Sequence, residues 1–524
     1  MAAHVNLDAL IRREDFTVMN DGNEADRVER AAIGDFAADA FFYQALRKPD
    51  FQRETAEWDP IRVVGLIRSF VEAEFIPGVI VWRNRELIFV IDGSHRLSAL
   101  IAWVQDDYGD RTRSQEFFNH SIPDEQIEVA ERTRKLVQKE FGSYEDHRKA
   151  NLEPDTFPPE LVARARRFGS VALKLQWVYG DAEKAENSFV RINQQAAVIT
   201  PKELELITSR KKPNAIAARA IIRRGTGHQY WGAFSDDTQR QIKDIATEVH
   251  SLFFDPPLQS GVKTLDMPAG GPVYSATALR MIYDFITLCS GTASPSNDAD
   301  GTLTVEYLVR CRRVMRLILS HDRSSMGLSP AVYFYSWMGR QQATLFHVIA
   351  AMMIDYERTK TLPKFIERRA AFEEFLMGNR MLIAQAIRKF GSKDDGTGRI
   401  RQFYEDVLTM IGQGVTGVEI VNKLIANPAY SYLQPTEVPY GGTSPTRYSS
   451  QVKTGLVMRQ LLPSAPRCLI CHGILPCQAI SVDHIKRRED GGQSTPDNAQ
   501  LTHPYCNTGY KESQRAKGRK NAPL

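Results

Sequence analysis

Four potential metal ligands close the chain in two pairs, Cys468-x-x-Cys471 and His503-x-x-Cys506, with 31 residues between them. Two-residue spacing lets a tight turn present both side chains of a pair to one tetrahedral ion, and thiolate with imidazole is a donor set suited to zinc. His472 and Cys477 stand nearby as alternative ligands. Between the pairs, Ala479-Ile-Ser-Val-Asp483-His484-Ile485 alternates like a strand and ends in an acid and an imidazole. A polar turn through Gly491-Gly492 follows, then Asn498 and, after eight intervening residues, Asn507. Asp483 and Asn507 offer hard oxygen ligands suited to Mg²⁺ or Mn²⁺ that keeps several waters. His484 beside them can deprotonate a water while the ion stabilises a leaving oxygen. One divalent ion and one histidine base suffice to break a phosphodiester. A zinc knuckle with a purely structural role is the plainer use of the same residues. The tail supplies Lys511, Arg515 and Lys517, which can neutralise phosphates independently of sequence.

A second set lies near the other end. Pro77 to Asp92 reads as a hairpin of two β-rich runs flanking Arg83-Asn84-Arg85, and it runs into Asp92-Gly93-Ser94-His95-Arg96. A strand that ends in Asp-Gly and turns into a helix, here over His95 to Gln105, gathers backbone N–H groups at one spot and favours an anion such as phosphate. Ser94 and His95 add donors, Arg96 a bidentate fork, and Asp92 a metal or water ligand. Such a turn is also common where nothing binds. Upstream, Gln52-Arg53 precedes Trp58 and a helix over Ile61–Phe70. Downstream, Arg191-Ile-Asn193 leads to Thr200-Pro201-Lys-Glu203-Leu204, a capping box with proline at the first helical position.

The elements that must position these residues fall into zones. At 524 residues the chain exceeds one core, and about 150 residues per domain gives three or four units. Its 43% apolar and 25% charged residues are those of an ordinary soluble globular protein. No apolar run nears the roughly 20 residues that cross a bilayer, so no membrane partner is expected. The opening residues lack the basic-then-apolar pattern of an export signal, and the expected location is cytoplasmic. Clustered cysteines in such a chain favour metal over disulfides. Cys311 shares helical spacing with Leu308, Met315 and Leu319 and reads as core.

Residues 1–210 mix strand and helix signals; 211–427 are dominated by helical periodicity, with clear cases at Leu303–Ser320, Ala331–Tyr356 and Lys364–Met377. Residues 428–452, rich in proline and glycine, read as a semi-rigid linker, and 453–524 form the cysteine-rich module. That module is too small to fold on its core alone, so a structural metal would supply stability. From Pro463 onward nine Lys/Arg face five Asp/Glu, which is 9 − 5 = +4, the entire net charge of the chain. One basic end on a neutral body points to a polyanionic partner.

Segment 468–511 resembles the HNH endonuclease family, a ββα-metal nuclease fold, in its zinc-braced subgroup, with His503 where cysteine is commoner. The resemblance implies His484 as general base, Asn498 as the residue that holds the loop and orients that base, and Asn507 with Asp483 as the metal site. Residues 40–210 resemble the ParB/sulfiredoxin-like domain of GmrSD-type restriction enzymes. They carry its Gln-Arg motif at Gln52-Arg53, its Asp-Gly-Gln-Gln-Arg motif at Asp92–Arg96 and its Arg-x-Asn…Thr-x-x-Glu-Leu motif at Arg191 to Leu204. Ser94 and His95 stand where that family has two glutamines. By this likeness Arg53, Asp92, Gly93, Arg96 and Asn193 would hold a nucleoside triphosphate, GTP or ATP. No P-loop motif occurs.

The expected architecture is therefore α+β and multidomain: an α/β nucleotide-binding and sensing domain, a helical middle and a zinc-braced nuclease. The expected function is a defence endonuclease. Its N-terminal domain binds or hydrolyses a nucleotide, senses modified DNA (phosphorothioate DNA is sensed by SspE-like relatives) and licenses metal-dependent DNA cleavage. A non-catalytic DNA-binding protein and an RNA-cleaving toxin are the alternatives. Oligomeric state stays open, a homo-oligomer included.

Overall fold

The computed structural model describes the chain except residues 1–3, 15–27, 50–51, 53–54, 56–57, 119, 121, 123, 181–183, 187, 189–190, 193–204, 206–208, 227, 259–263, 274–277, 292–294, 392–394, 435–449 and 521–524. The chain forms two compact units, Met1–Ser235 with Asn297–Asp300, and Asp236–Ser296 with Gly301–Leu524. The first boundary falls at Ser235, where the sequence reading placed it at 210. The helical middle and the cysteine-rich module belong to a single unit.

The first unit is built on a six-stranded sheet, in the order β1-β3-β5-β4-β6-β2. The strands are β1 (Arg13–Glu14), β2 (Arg30–Ala32), β3 (Leu46–Pro49), β4 (Val79–Asn84), β5 (Leu87–Asp92) and β6 (Ala172–Val178). Strands β1, β3 and β5 run parallel and end at one edge, while β4 pairs antiparallel with β5 as the expected hairpin. Its turn falls at Arg85-Glu86, with Arg85 in the left-handed region at φ 53°. β5 is buried at Phe89, Val90 and Ile91, a continuous apolar run in keeping with a strand covered on both faces. Helices Pro60–Val71 and Ser94–Gln105 share one apolar core with Val81 and Val90 of the sheet, their bounds within a residue or so of those expected.

The second unit is a helical body. Helix Asp236–Phe254 buries Ile242, Ile245, Ala246, Val249 and Phe253, a stripe at helical spacing. Phe253, Phe285 and Phe346 meet with ring centroids 5.2–5.3 Å apart and form its aromatic centre. Cys311 is buried with Leu308, Met315 and Leu319, as its spacing indicated. The helix expected over Ala331–Tyr356 is instead two, Pro330–Tyr333 and Ala343–Arg358. Tyr333, Phe334 and Tyr335 are all buried, and three consecutive buried rings cannot share one helix face. A hairpin-like loop intervenes, closed by Gln342 N–H to the Phe334 carbonyl at 2.8 Å and by an antiparallel bridge between Tyr335 and Gln341. Of the expected linker, 435–449 lie outside the described residues, and helix Ser450–Leu461 begins where it was to end.

The C-terminal module has ββα order: β7 (Ser481–His484), β8 (Ala499–Thr502), a π turn at Cys506–Tyr510 and helix Lys511–Lys520. β7 and β8 are antiparallel, with Asp483 opposite Gln500 and His484 opposite Ala499. Among the described residues no helix is long and apolar enough to cross a membrane.

Candidate active site and zinc centre

Cys468, Cys471, His503 and Cys506 are all buried, and their ligand atoms lie within 4.8 Å of one another. The first pair sits in a knuckle, where His472 N–H reaches the Cys468 carbonyl at 2.8 Å and His472 takes φ 56°. Cys477, the alternative ligand, is exposed and His472 is the turn residue. The His503 Nε2 lies 2.9 Å from the Ile474 carbonyl and Nδ1 3.3 Å from Cys471 Sγ, so Nε2–H is donated away and Nδ1 faces the sulfurs. Burial, aided by the Arg369 charge, lowers the His503 pKa and keeps the ring neutral, as a metal ligand must be. Thiol donation from Cys471 and Cys506 holds Cys468 far below its usual range. The same Cys468 contact pushes Cys471 up to about 11 and Cys506 higher still. One thiolate is tolerated alone; three require a cation among them. The cluster therefore fits zinc.

Arg369 and Glu373 of helix Leu362–Gly378 brace this centre from the helical body. Both side chains are fully buried and paired at 2.7 Å. Arg369 also donates to the carbonyls of Met326 and Gly327 and approaches His503 Nδ1 to 3.3 Å. Glu373 accepts the Ile474 N–H at 2.7 Å and the Tyr333 hydroxyl at 2.9 Å. Three thiolates and a divalent ion leave one net negative charge, which the nearby guanidinium offsets. Gly473 makes room for this approach, since a Cβ there would stand 2.5 Å from Arg369 Nε.

Beside the zinc centre, a cavity of about 200 Å³ is lined by Asp483, His484 and Asn507 together with Lys511, Arg515, Arg487 and Arg488. Asn507 donates its amide N–H groups to Ser481 Oγ at 2.9 Å and to the Val482 carbonyl at 3.3 Å, which leaves its carbonyl oxygen as the atom that could ligate a metal. Asp483 accepts from Gln500, its partner across the strands, at 2.8 Å. Lys511, expected to meet phosphate, holds both Asp483 oxygens at 2.8 and 2.6 Å and the His484 carbonyl at 2.7 Å. A cation thus already sits on these oxygens, and the donor set fits a hard divalent ion. His484 Nε2 lies 3.0 Å from Ser494 Oγ, which also accepts from Arg488 at 3.0 Å. Asn498 is not among the residues that line the cavity. Its amide spans the loop, donating to the carbonyls of Lys486 and Gln493 at 2.8 and 2.7 Å and accepting the Lys486 N–H at 2.7 Å. Arg515 pairs with Glu512 at 3.0 Å. The Lys517 side chain lies outside the described residues.

In the first unit, Asp92 ends β5, Gly93 turns the chain at φ 96°, and helix Ser94–Gln105 starts with no side-chain cap. Arg96 folds back to Asp92 at 2.6 Å and to the Gly78 carbonyl at 3.2 Å. His95 stacks on Trp58 with centroids 5.5 Å apart, and Ser94 is buried. Arg53 and Asn193 lie outside the described residues, as does the capping box at Thr200 to Glu203.

Residues 37–207 match the family model described as GmrSD restriction endonuclease, N-terminal domain, and residues 467–513 match that of HNH endonuclease. The chain joins a GmrSD-type domain to an HNH domain. Together they support a DNA restriction endonuclease. No curated protein and no solved structure matches the chain.

Several residues around the HNH domain escaped the sequence reading. Gln500 was recoverable from strand register, since it lies opposite Asp483. Ser494 had no distinguishing signal in a polar turn. Arg369 and Glu373, spaced i,i+4, look in sequence like a surface ion pair and prove fully buried. In the first unit a missed feature is Asp8, which binds Arg13 at 2.8 Å and fully buried Lys48 at 2.7 Å.

Proposed function

We propose that this chain is a DNA restriction endonuclease in which the HNH domain hydrolyses a phosphodiester with His484 as general base. The observation that carries this reading is one cavity shared by His484, Asp483 and Asn507 with the cations Lys511 and Arg515 on its wall. With Nε2–H donated to Ser494, whose oxygen has two lone pairs, His484 Nδ1 is left to take a proton from water. The resulting hydroxide attacks phosphorus, and the bond to the leaving sugar oxygen breaks. Asp483 and Asn507 would hold Mg²⁺ or Mn²⁺, which supplies charge stabilisation for that oxygen. Asn498 keeps the loop, and with it the base, in place. Lys511, Arg515 and Lys517 are read as neighbours of the DNA backbone.

The GmrSD-type domain is proposed to bind a nucleoside triphosphate at Asp92, Gly93, Ser94, His95 and Arg96, with Arg53 and Asn193, and to sense modified DNA. The uncapped helix start beside a strand end supports an anion there. Licensing of the nuclease by this domain would protect the host from an otherwise constant activity.

The full chain with Mg²⁺ or Mn²⁺ should cut supercoiled plasmid, and His484→Ala should slow cutting by about 10²–10⁴-fold, the usual contribution of a general base. Undiminished cutting by that variant would overturn the assignment. Nucleotide hydrolysis measured with unmodified, sulfur-modified and glucosylated DNA tests the sensing role; equal rates on all three would remove it.

A further inference from the structure

The ammonium of Lys511 makes three contacts of 2.6–2.8 Å, two to Asp483 and one to the His484 carbonyl. An ammonium has three protons, so its donors are all spent on this one place. Asp483 is nearly buried at 6% side-chain exposure, whereas Lys511 retains 18% and reaches the site from the cavity wall. A Mg²⁺–oxygen bond is about 2.1 Å long and brings two positive charges. Such an ion and the ammonium cannot share the same carboxylate oxygens. Lys511 roots at the start of helix Lys511–Lys520 on a flexible four-carbon stem, so the head can swing without moving the helix. Arg515, one turn further along, stands on the same cavity wall.

We propose that Lys511 is a positioning residue that holds the Asp483 carboxylate in the place of the divalent ion, so that metal binding requires its release. A DNA phosphate is the natural acceptor for the released ammonium, which makes DNA and metal bind cooperatively. The free enzyme then keeps its metal site weak until substrate arrives. This rests on the reading of Asp483 as a metal donor.

The test is Mn²⁺ titration of the zinc-loaded full chain in the His484→Ala background, which keeps DNA intact, with free Mn²⁺ read by electron paramagnetic resonance. Without DNA, Lys511→Met should bind Mn²⁺ at least about tenfold more tightly, a change of about 1.4 kcal/mol. A lysine that merely braced Asp483 predicts the reverse, weaker binding in Lys511→Met. Adding a short duplex, whose phosphate itself meets the ion, should tighten Mn²⁺ binding more in the chain that keeps Lys511 than in Lys511→Met; an equal gain in both overturns the proposal. Equal or weaker Mn²⁺ binding by Lys511→Met, or no effect of DNA on the chain with Lys511, overturns the proposal. Asp483→Ala separates the two readings. If Asp483→Ala abolishes Mn²⁺ binding while Lys511→Met leaves it unaltered, only the lysine's role fails; if Asp483→Ala binds as well as its parent, the metal site itself is misassigned.

Discussion

The guanidinium of Arg369 and the carboxylate of Glu373 pair at 2.7 Å with neither side chain exposed, and the second oxygen of Glu373 accepts the Ile474 N–H beside the zinc ligands. The HNH domain is therefore seated in the helical body through a buried charge pair. Removing one partner strands the other in a low-dielectric site and costs about 3–5 kcal/mol. Arg369→Met and Glu373→Gln should each lower the melting temperature and speed zinc loss to a chelator. Arg369→Met/Glu373→Met together should cost less than the sum of the single changes. Strictly additive melting shifts would show that the pair does not act as one unit.

Asp8 predicts a pH dependence of the first unit. Burial alone would raise its pKa, but Arg13, Lys48 and Arg223 together carry the carboxyl well below its usual range. A folded value below the unfolded one means that the folded state binds fewer protons in acid. The stabilisation is complete above about pH 4, the ordinary value, and is lost as pH falls toward the depressed one. Asp8→Asn should destabilise the chain by about 3–5 kcal/mol at pH 7, a gap that narrows below pH 4. Thermal unfolding of both chains from pH 7 to 3 checks this; a pH-independent gap would contradict it.

Gly93 is required by its backbone. At φ 96° an L side chain is strained, and a Cβ would come within 2.9 Å of Arg96 and 3.0 Å of Val79. Gly93→Ala should cost about 1–2 kcal/mol in unfolding free energy and push Arg96 off Asp92. It should also weaken binding of a triphosphate analogue measured by calorimetry. Unchanged stability would show that the turn can relax.

Asn498 ties together the loop between β7 and β8 with three hydrogen bonds from one amide. Asn498→Ala should lower kcat by up to about 100-fold through misplacement of His484, with Mn²⁺ affinity nearly unchanged. Asn498→Asp, which keeps the acceptor and loses the donor, should fall between. A loss confined to metal affinity would move Asn498 from the loop to the metal site.

Much of this protein was legible in one dimension. Cys-x-x-Cys and His-x-x-Cys named a four-ligand centre because ligand type and local spacing are properties of the chain alone. Alternation placed Asp483 and His484 at a strand end, and a β-rich run broken by Asp-Gly placed the turn before Ser94. Those signals are local, and local geometry follows from a few neighbouring residues.

What only the tertiary structure decided were relations between distant segments. Arg369 meets His503 across 134 positions, and Lys511 turns back 28 positions onto Asp483. No periodicity encodes such pairings, and charge misleads about them, because a lysine reads as solvent-facing until its partner is known. The break near Phe334 is of the same kind: helical propensity gave way where three successive rings each found a buried place. Composition and spacing determined the chemistry available; packing determined which charge neutralises which, because burial makes an unpaired charge too costly to leave alone.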